Sequence, residues 1–244
     1  SRGGGTAVAV EGTIPMGGGP DRSELAVADP NRFAALALVR VLADSGIAAL
    51  GGVASTTDPA NYATARTSQP LAEIESRPTA DWVFRILNAS QNWIAETLLK
   101  RLGREVAREG SWRAGLGVER RFLIDSVGLD STQFILHDGS GLSAKNAVTP
   151  LVFAKLLDYM HRKPRFESFA AGLPRSGAVG SLRNRFIATP LEGRVRAKTG
   201  SIGQVNTLSG FIEEEGQTRR WCRAFSVQAN HHALGGRAMV QAID

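Results

Sequence analysis

The chain is nearly free of cysteine. Cys222 is the only one in 244 residues, so neither an intramolecular disulfide nor a cysteine metal cluster can hold the fold together. No apolar run approaches the ~20 residues of a membrane-spanning helix. Charge of one sign is not blocked: the arginines are scattered and no stripe alternates aromatic with basic residues, which argues against nucleic acid as a partner. Residues 15–20 carry Gly17-Gly18-Gly19, but the dinucleotide and phosphate-loop spacings are both missing. The opening Ser1-Arg2-Gly3-Gly4-Gly5 lacks the pattern of a secretory leader. The expectation is that a leader has been removed or that the chain starts within a longer protein. What is present is ordinary for a packed globular protein: 43% hydrophobic and 21% charged residues. The net charge of +6 favours anionic surroundings such as anionic lipid, an acidic polymer of the cell envelope or, as the weaker choice, nucleic acid.

Periodicity divides the chain into mixed elements. Residues 6–10 alternate like a strand. Asp29-Pro30 reads as cap and first residue of a helix that carries Phe33, Leu36, Val39, Val41 and Leu42 and stops at Ser45-Gly46. Residues 51–66 are polar and turn-rich, a boundary between two parts. A helix is entered after Pro78. Another begins near Ser90, the expected N-cap, with Ile94, Leu98 and Leu102 on one face and Gly103 closing it. A further helix over 112–127 points Val118, Phe122 and Leu123 inward. A short strand follows at 134–136. Thr149-Pro150 opens a helix with Phe153, Leu156, Leu157 and Met160 inside, stopped by Pro164. Residues 172–193 form a long glycine-rich connection with Arg183 and Arg185, of the kind that borders sites. Strands at 207–212 and 221–227, turning near Glu215-Gly216, extend an antiparallel sheet, and a helix over 234–243 ends the chain.

Chemistry concentrates in Arg194-Val195-Arg196-Ala197-Lys198-Thr199-Gly200-Ser201. Val195 and Ala197 alternate as on a strand, whose end presents an ammonium, a hydroxyl and a glycine in succession. Such a rim can hold a carboxylate while a nearby acyl group reacts, although a strand running into a turn gives the same letters. His137, Asp138 and Ser140 do not make a hydrolase triad, because sequence neighbours seldom face one another and no nucleophile-elbow spacing is present. His231-His232 lack a third ligand at helical spacing and read as loop residues. No metal and no cofactor is expected.

Three stretches in fixed order carry a resemblance: Ser90-Gln91-Asn92 opening a helix, Asp138-Gly139-Ser140-Gly141-Leu142-Ser143 in a loop, and Lys198-Thr199-Gly200-Ser201 on a strand before a hairpin and helix. The set, with Val10-Glu11-Gly12-Thr13, Asp29-Pro30 and Ile94-Ala95-Glu96-Thr97-Leu98-Leu99 beside it, resembles the C-terminal half of class C low-molecular-mass penicillin-binding proteins, the D-alanyl-D-alanine carboxypeptidase/endopeptidase type (peptidase family S13). That family's Ser-x-x-Lys motif, whose serine is acylated, is absent: no serine here has a lysine three positions on.

The resemblance implies an α/β (α+β) protein, an antiparallel sheet flanked by helices in an incomplete penicillin-binding, transpeptidase-like fold. Residues 1–65 would be the remainder of an inserted accessory domain and 66–244 the C-terminal part of the peptidase domain. It implies a serine-type hydrolase of the periplasm or another extracytoplasmic compartment. Its partners would be peptidoglycan stem peptides ending in D-Ala-D-Ala, β-lactams and a missing N-terminal segment, with no nucleic acid. Ser90 would relay a proton, Asn92 would orient the substrate amide or a lysine, and Lys198 would supply positive charge. Thr199 and Ser201 would grip the terminal carboxylate beside Gly200, and the Ser201 amide would be half of an oxyanion hole. The Asp138 loop would be structural. The chain alone would not catalyse. Either it is a portion of a longer enzyme or it is a degenerate homologue that binds wall peptide or β-lactam without reacting. A third reading, an unrelated basic domain with chance motifs, requires Ser90 and Lys198 to lie far apart.

Overall fold

The structure, a computed structural model, describes residues 11–13, 15–20, 25–62, 67, 69–213 and 221–244. The strand expected at 6–10 and the turn near Glu215-Gly216 lie outside the described residues. The chain divides into two units, Ser1–Ile74 and Glu75–Asp244.

In the first unit, helix α1 (Pro30–Asp44) starts where the sequence places it. The Asp29 carboxylate accepts from the Arg32 amide at 2.9 Å and Pro30 occupies the first turn, where its missing N–H costs nothing. The Ser55 hydroxyl donates to the same carboxylate at 2.6 Å. Ser45 caps the far end, and Gly46 follows with φ +80°, the left-handed conformation that closes helices. The expected apolar stripe is not covered: no residue of α1 is buried, and Phe33, Leu36 and Val41 are exposed. A 3₁₀ turn over Pro59–Tyr62 follows.

The second unit holds the core. Helices α2 (Thr79–Asn88), α3 (Asn92–Ala107) and α4 (Trp112–Arg121) lead through a wide π turn at Phe122–Ser126 to strands β1 (Phe134–Ile135) and β2 (Ala147–Val148). Helices α5 (Pro150–His161) and α6 (Phe166–Gly172) precede the main sheet of β3 (Val195–Ile202), β4 (Val205–Glu213) and β5 (Trp221–Ala229), and α7 (Gly236–Ile243) ends the chain. The sheet is antiparallel in the order β3-β4-β5. Cys222 is a residue of β5, as expected.

Side-chain alternation splits the sheet into two faces. On one, Val195, Ala197 and Leu208 pack with Leu182, Phe186 and Ile243. On the other, Phe211 packs with Leu157, Phe166, Ala170 and Leu173. A third cluster, Leu123, Leu129, Phe134 and Val152, ties the small sheet to α5. The connection 172–193 is no slack loop. Its Pro174 carbonyl accepts from the Ala197 amide at 3.0 Å and the Ser176 amide donates to the Val195 carbonyl at 2.9 Å, so it covers the first half of the outer edge of β3.

Two helical readings need correction. Gly103 does not end its helix; α3 continues to Ala107 and turns at Arg108, φ +60°. Gly103 is instead a close-approach position, since a Cβ there would stand 2.7 Å from the Gly115 amide nitrogen. Gly115 answers it from α4, its own missing Cβ leaving room for the Leu99 carbonyl oxygen at 2.3 Å. Accordingly Ile94, Leu99 and Gly103 are the buried residues of α3, and Leu102 is exposed. Phe122 also departs from its expected place, lying exposed with its edge toward Tyr159.

Backbone, not a flexible tip, opposes a side chain at residue 115. Gly115→Ala should therefore cost about 2–3 kcal/mol by overpacking, measured by denaturant unfolding. Gly117→Ala on the same helix meets only an arginine tip at 3.8 Å and should cost nothing. Equal stabilities for the two variants would contradict the close packing of α3 on α4.

Candidate active site

Ser90 and Lys198 are brought together. The Lys198 ammonium donates to the Ser90 hydroxyl at 2.8 Å and to the Thr199 carbonyl at 2.8 Å. This removes the chance-motif reading, which required them far apart. Ser90 is not the N-cap of α3; Gln91 is, without a side-chain cap bond. Ser90 stands one residue earlier with φ +55°, a left-handed conformation costly for a residue with a Cβ. That twist takes its hydroxyl away from the helix amides and toward the strand. Asn92 is the first residue of α3 and half-buried. Burial pulls the Lys198 ammonium below the ordinary lysine range, because desolvation disfavours its charged form.

The strand end has a definite backbone polarity. Residues 196, 198 and 200 lie opposite Phe211, Ser209 and Thr207, and the Glu213 amide donates to Arg194. Even-numbered residues thus bond to β4 and odd-numbered ones turn their amides to the outer edge. The Pro174–Ser176 segment takes Val195 and Ala197. Beyond it the Ser201 amide faces the open edge. The hydroxyls of Thr199 and Ser201 lie on the sheet face opposite Lys198, since side chains alternate. Thr199 meets the Ser181 hydroxyl at 2.7 Å, and Ser201 donates to the Asn206 side-chain oxygen at 3.0 Å. Asn206 in turn contacts the His232 ring at 2.7 Å. Gly200 is required for packing within the sheet, because a Cβ would meet the Thr207 hydroxyl at 2.5 Å.

A cavity of about 390 Å³ opens over this end, lined by Thr199, Gly200, Ser201, Ser181, Asn206, Arg185 and Arg237 among others. Ser90, Asn92 and Lys198 are not among its lining residues. Arg185 is held by an ion pair with Asp244, their side chains 12% and 19% exposed. Arg183, paired with it in sequence, is exposed. Ser181 and Asn206 escaped the sequence reading, for lone polar residues in a loop and a strand carry no spacing signal.

The Asp138 loop is organised by carboxylates. Asp138 accepts from the amides of Gly141 and Ser143 and from the Asn146 side chain. Glu96 of α3 reaches across and accepts from the amides of Gly139 at 3.1 Å and Ser140 at 2.9 Å, and from the Trp112 indole at 2.7 Å. Partial burial raises the Glu96 carboxyl, but hydrogen bonds from Ser140, Trp112 and Gly139 outweigh it and hold the group below its ordinary value. Behind them lies Glu119, one oxygen buried without a hydrogen-bond partner. Burial, with the charges of Asp138 and Glu96 adding to it, pushes its carboxyl up to about 7. His231 and His232 lie in the loop before α7, as expected, and among the described residues no cluster of three or more metal-ligating side chains occurs.

These features define a penicillin-binding type of fold. The structure superposes on penicillin binding protein 4 of Haemophilus influenzae, solved with a β-lactam, with a TM-score of 0.74 and 29% identity, covering 89% of this chain and 50% of that one. The chain belongs to the D-Ala-D-Ala carboxypeptidase 3 (S13) family, which it matches over residues 1–244. It is similar to the D-alanyl-D-alanine carboxypeptidase of Actinomadura sp. (strain R39), 33% identical over 233 residues, 93% of this chain and 41% of that protein. It is also similar to carboxypeptidase DacB of Mycolicibacterium smegmatis, 28% identical over 73% of this chain and 39% of that protein. The chain spans about two fifths of the length of these curated relatives.

Glu119 gives the fold a pH signature. Its folded-state carboxyl titrates near 7 and its ordinary value is 4.5, so between those values the folded protein holds a proton the unfolded chain releases. Stability therefore falls as pH rises through this window. Glu119→Gln should match the parent near pH 4.5 and be more stable by roughly 2–3 kcal/mol at pH 8, read from unfolding curves. A variant equally stable at both pH values would show that Glu119 is not held neutral.

Proposed function

We propose that this chain supplies two walls of the active site of a serine-type D-Ala-D-Ala carboxypeptidase or endopeptidase, acylated by β-lactams, in a larger protein. The 2.8 Å hydrogen bond from Lys198 to Ser90 is the observation that carries this reading. The nucleophile would be the serine of a Ser-x-x-Lys segment outside these residues, with its lysine as base. Ser90 accepts a hydrogen from Lys198, so its own hydroxyl proton is free to pass to the departing amine. The burial-depressed Lys198 gives up or shares a proton more easily than an exposed lysine and can recharge Ser90. The Ser201 amide at the open strand edge would stabilise the oxyanion together with the nucleophile's own amide. Thr199 and Ser201, flanking Gly200, would receive the substrate's terminal carboxylate, and Asn92 would orient the peptide amide.

On this reading residues 1–65 are the end of an inserted accessory domain and 66–244 the C-terminal part of the peptidase domain. Substrates would be peptidoglycan stem peptides, and the enzyme would work in the cell envelope outside the cytoplasm. The net charge of +6 suits that acidic polymer. No helix among the described residues is long and apolar enough to cross a membrane.

The test is covalent labelling of the full-length protein by benzylpenicillin, followed by intact mass. One penicilloyl adduct is expected, on a serine outside these residues. Ser90→Ala and Lys198→Ala should each slow its formation by about 100-fold or more. Unchanged labelling in both would remove the pair from the mechanism. Tight binding of wall peptide with no adduct would favour a non-catalytic binding protein.

A further inference from the structure

The hydroxyl of Ser201 lies at the end of a chain of hydrogen bonds whose direction is fixed elsewhere. The His232 Nδ1 lies 3.1 Å from the Leu234 carbonyl oxygen, which can only accept, so Nδ1 carries a proton. In a neutral ring Nε2 is then bare. It sits 2.7 Å from the Asn206 side-chain nitrogen and accepts from it. Asn206, only 3% exposed, consequently turns its oxygen to Ser201 and takes the hydroxyl proton at 3.0 Å. Ser201 is left with lone pairs alone. A carboxylate also has lone pairs alone, so in this arrangement the hydroxyl cannot donate to one.

We propose that His232, acting through Asn206, is a positioning residue that decides whether Ser201 offers its proton to a bound anion. When Nε2 takes a proton from solvent, the ring becomes a donor at both nitrogens. Asn206 then turns over, its oxygen accepting from Nε2 and its nitrogen donating to a Ser201 lone pair. The hydroxyl hydrogen is released toward the cavity. Anion binding at the strand end is thereby linked to uptake of one proton at His232. Among the described residues the charged groups around the cavity are Arg185 with its partner Asp244, and Arg237 of α7, with Lys198 on the far side of the strand. The arginines attract an anion without supplying the switch. The proposal rests on reading this strand end as the carboxylate site.

Two measurements on the full-length protein test it. Imidazole ¹⁵N shifts at pH 8 should show His232 with a protonated Nδ1 and a bare Nε2, whatever the protein's activity; the opposite tautomer overturns the relay. The second is the benzylpenicillin acylation rate between about pH 5 and 8, the range in which histidines change charge. His232→Gln keeps a neutral partner for Asn206 at every pH. The ratio of wild-type to His232→Gln rates should rise about tenfold as pH falls, the worth of one charge-assisted hydrogen bond. Asn206→Asp, which can only accept, should be slow throughout. A ratio flat with pH overturns the proposal. If none of the proteins is acylated, the enzyme reading fails instead, and the ring tautomer alone decides the relay.

Discussion

A single hydrogen bond between residues 108 positions apart, Lys198 to Ser90, is the contact on which the proposed site depends. It joins the start of α3 to the end of β3, and neither end is at rest. Ser90 has left-handed backbone, which the intact helix α3 and the following packing must hold in place. Lys198 is partly withdrawn from water and therefore loses some of its preference for charge. Ser90 is exposed and Lys198 half-buried, one standing just before the cap of α3 and the other within β3.

Around those elements backbone packs closely on backbone. Gly103 and Gly115 let α3 and α4 touch with no side chain between them. Glu96 then fastens α3 to the Asp138 loop through two amides and to α4 through Trp112. On the strand side, the Pro174–Ser176 segment occupies the outer edge of β3 at Val195 and Ala197, and among the described residues no backbone pairs with that edge at Ser201. An edge strand half covered and half open is a controlled place for a peptide or an acyl group to approach. The same packing raises the Glu119 carboxyl to about 7, so that it holds its proton below neutral pH beside two carboxylates already committed to the loop.

Much of this was legible in the letters. Asp29-Pro30 and Ser45-Gly46 bracket α1 because cap chemistry is local, and the lysine strand and terminal hairpin follow from alternation. The ordered triplets led to the family. Gly103 was misread because a glycine after an apolar face looks like a helix stop, whereas its partner Gly115 is visible only once two helices meet. Local chemistry alone makes Ser90 a cap, and only the resemblance makes it a proton relay, because its left-handed φ has no sequence signature. Glu96 and Asn206 were missed for the same reason: their partners lie 43 residues away across a loop, or on another strand and a distant histidine. The stripe on α1 was legible, but it is uncovered within its own unit. Periodicity reports a face, not what covers it.

The central claim is that Ser90 and Lys198 act as one device. A double-mutant cycle on the full-length protein, using Ser90→Ala, Lys198→Met and the pair, measures this through the rate of benzylpenicillin acylation. If the proton passes through both, the double variant should be about as slow as either single one, since removing one member already breaks the relay. Losses that simply multiply would show two independent residues and contradict the account.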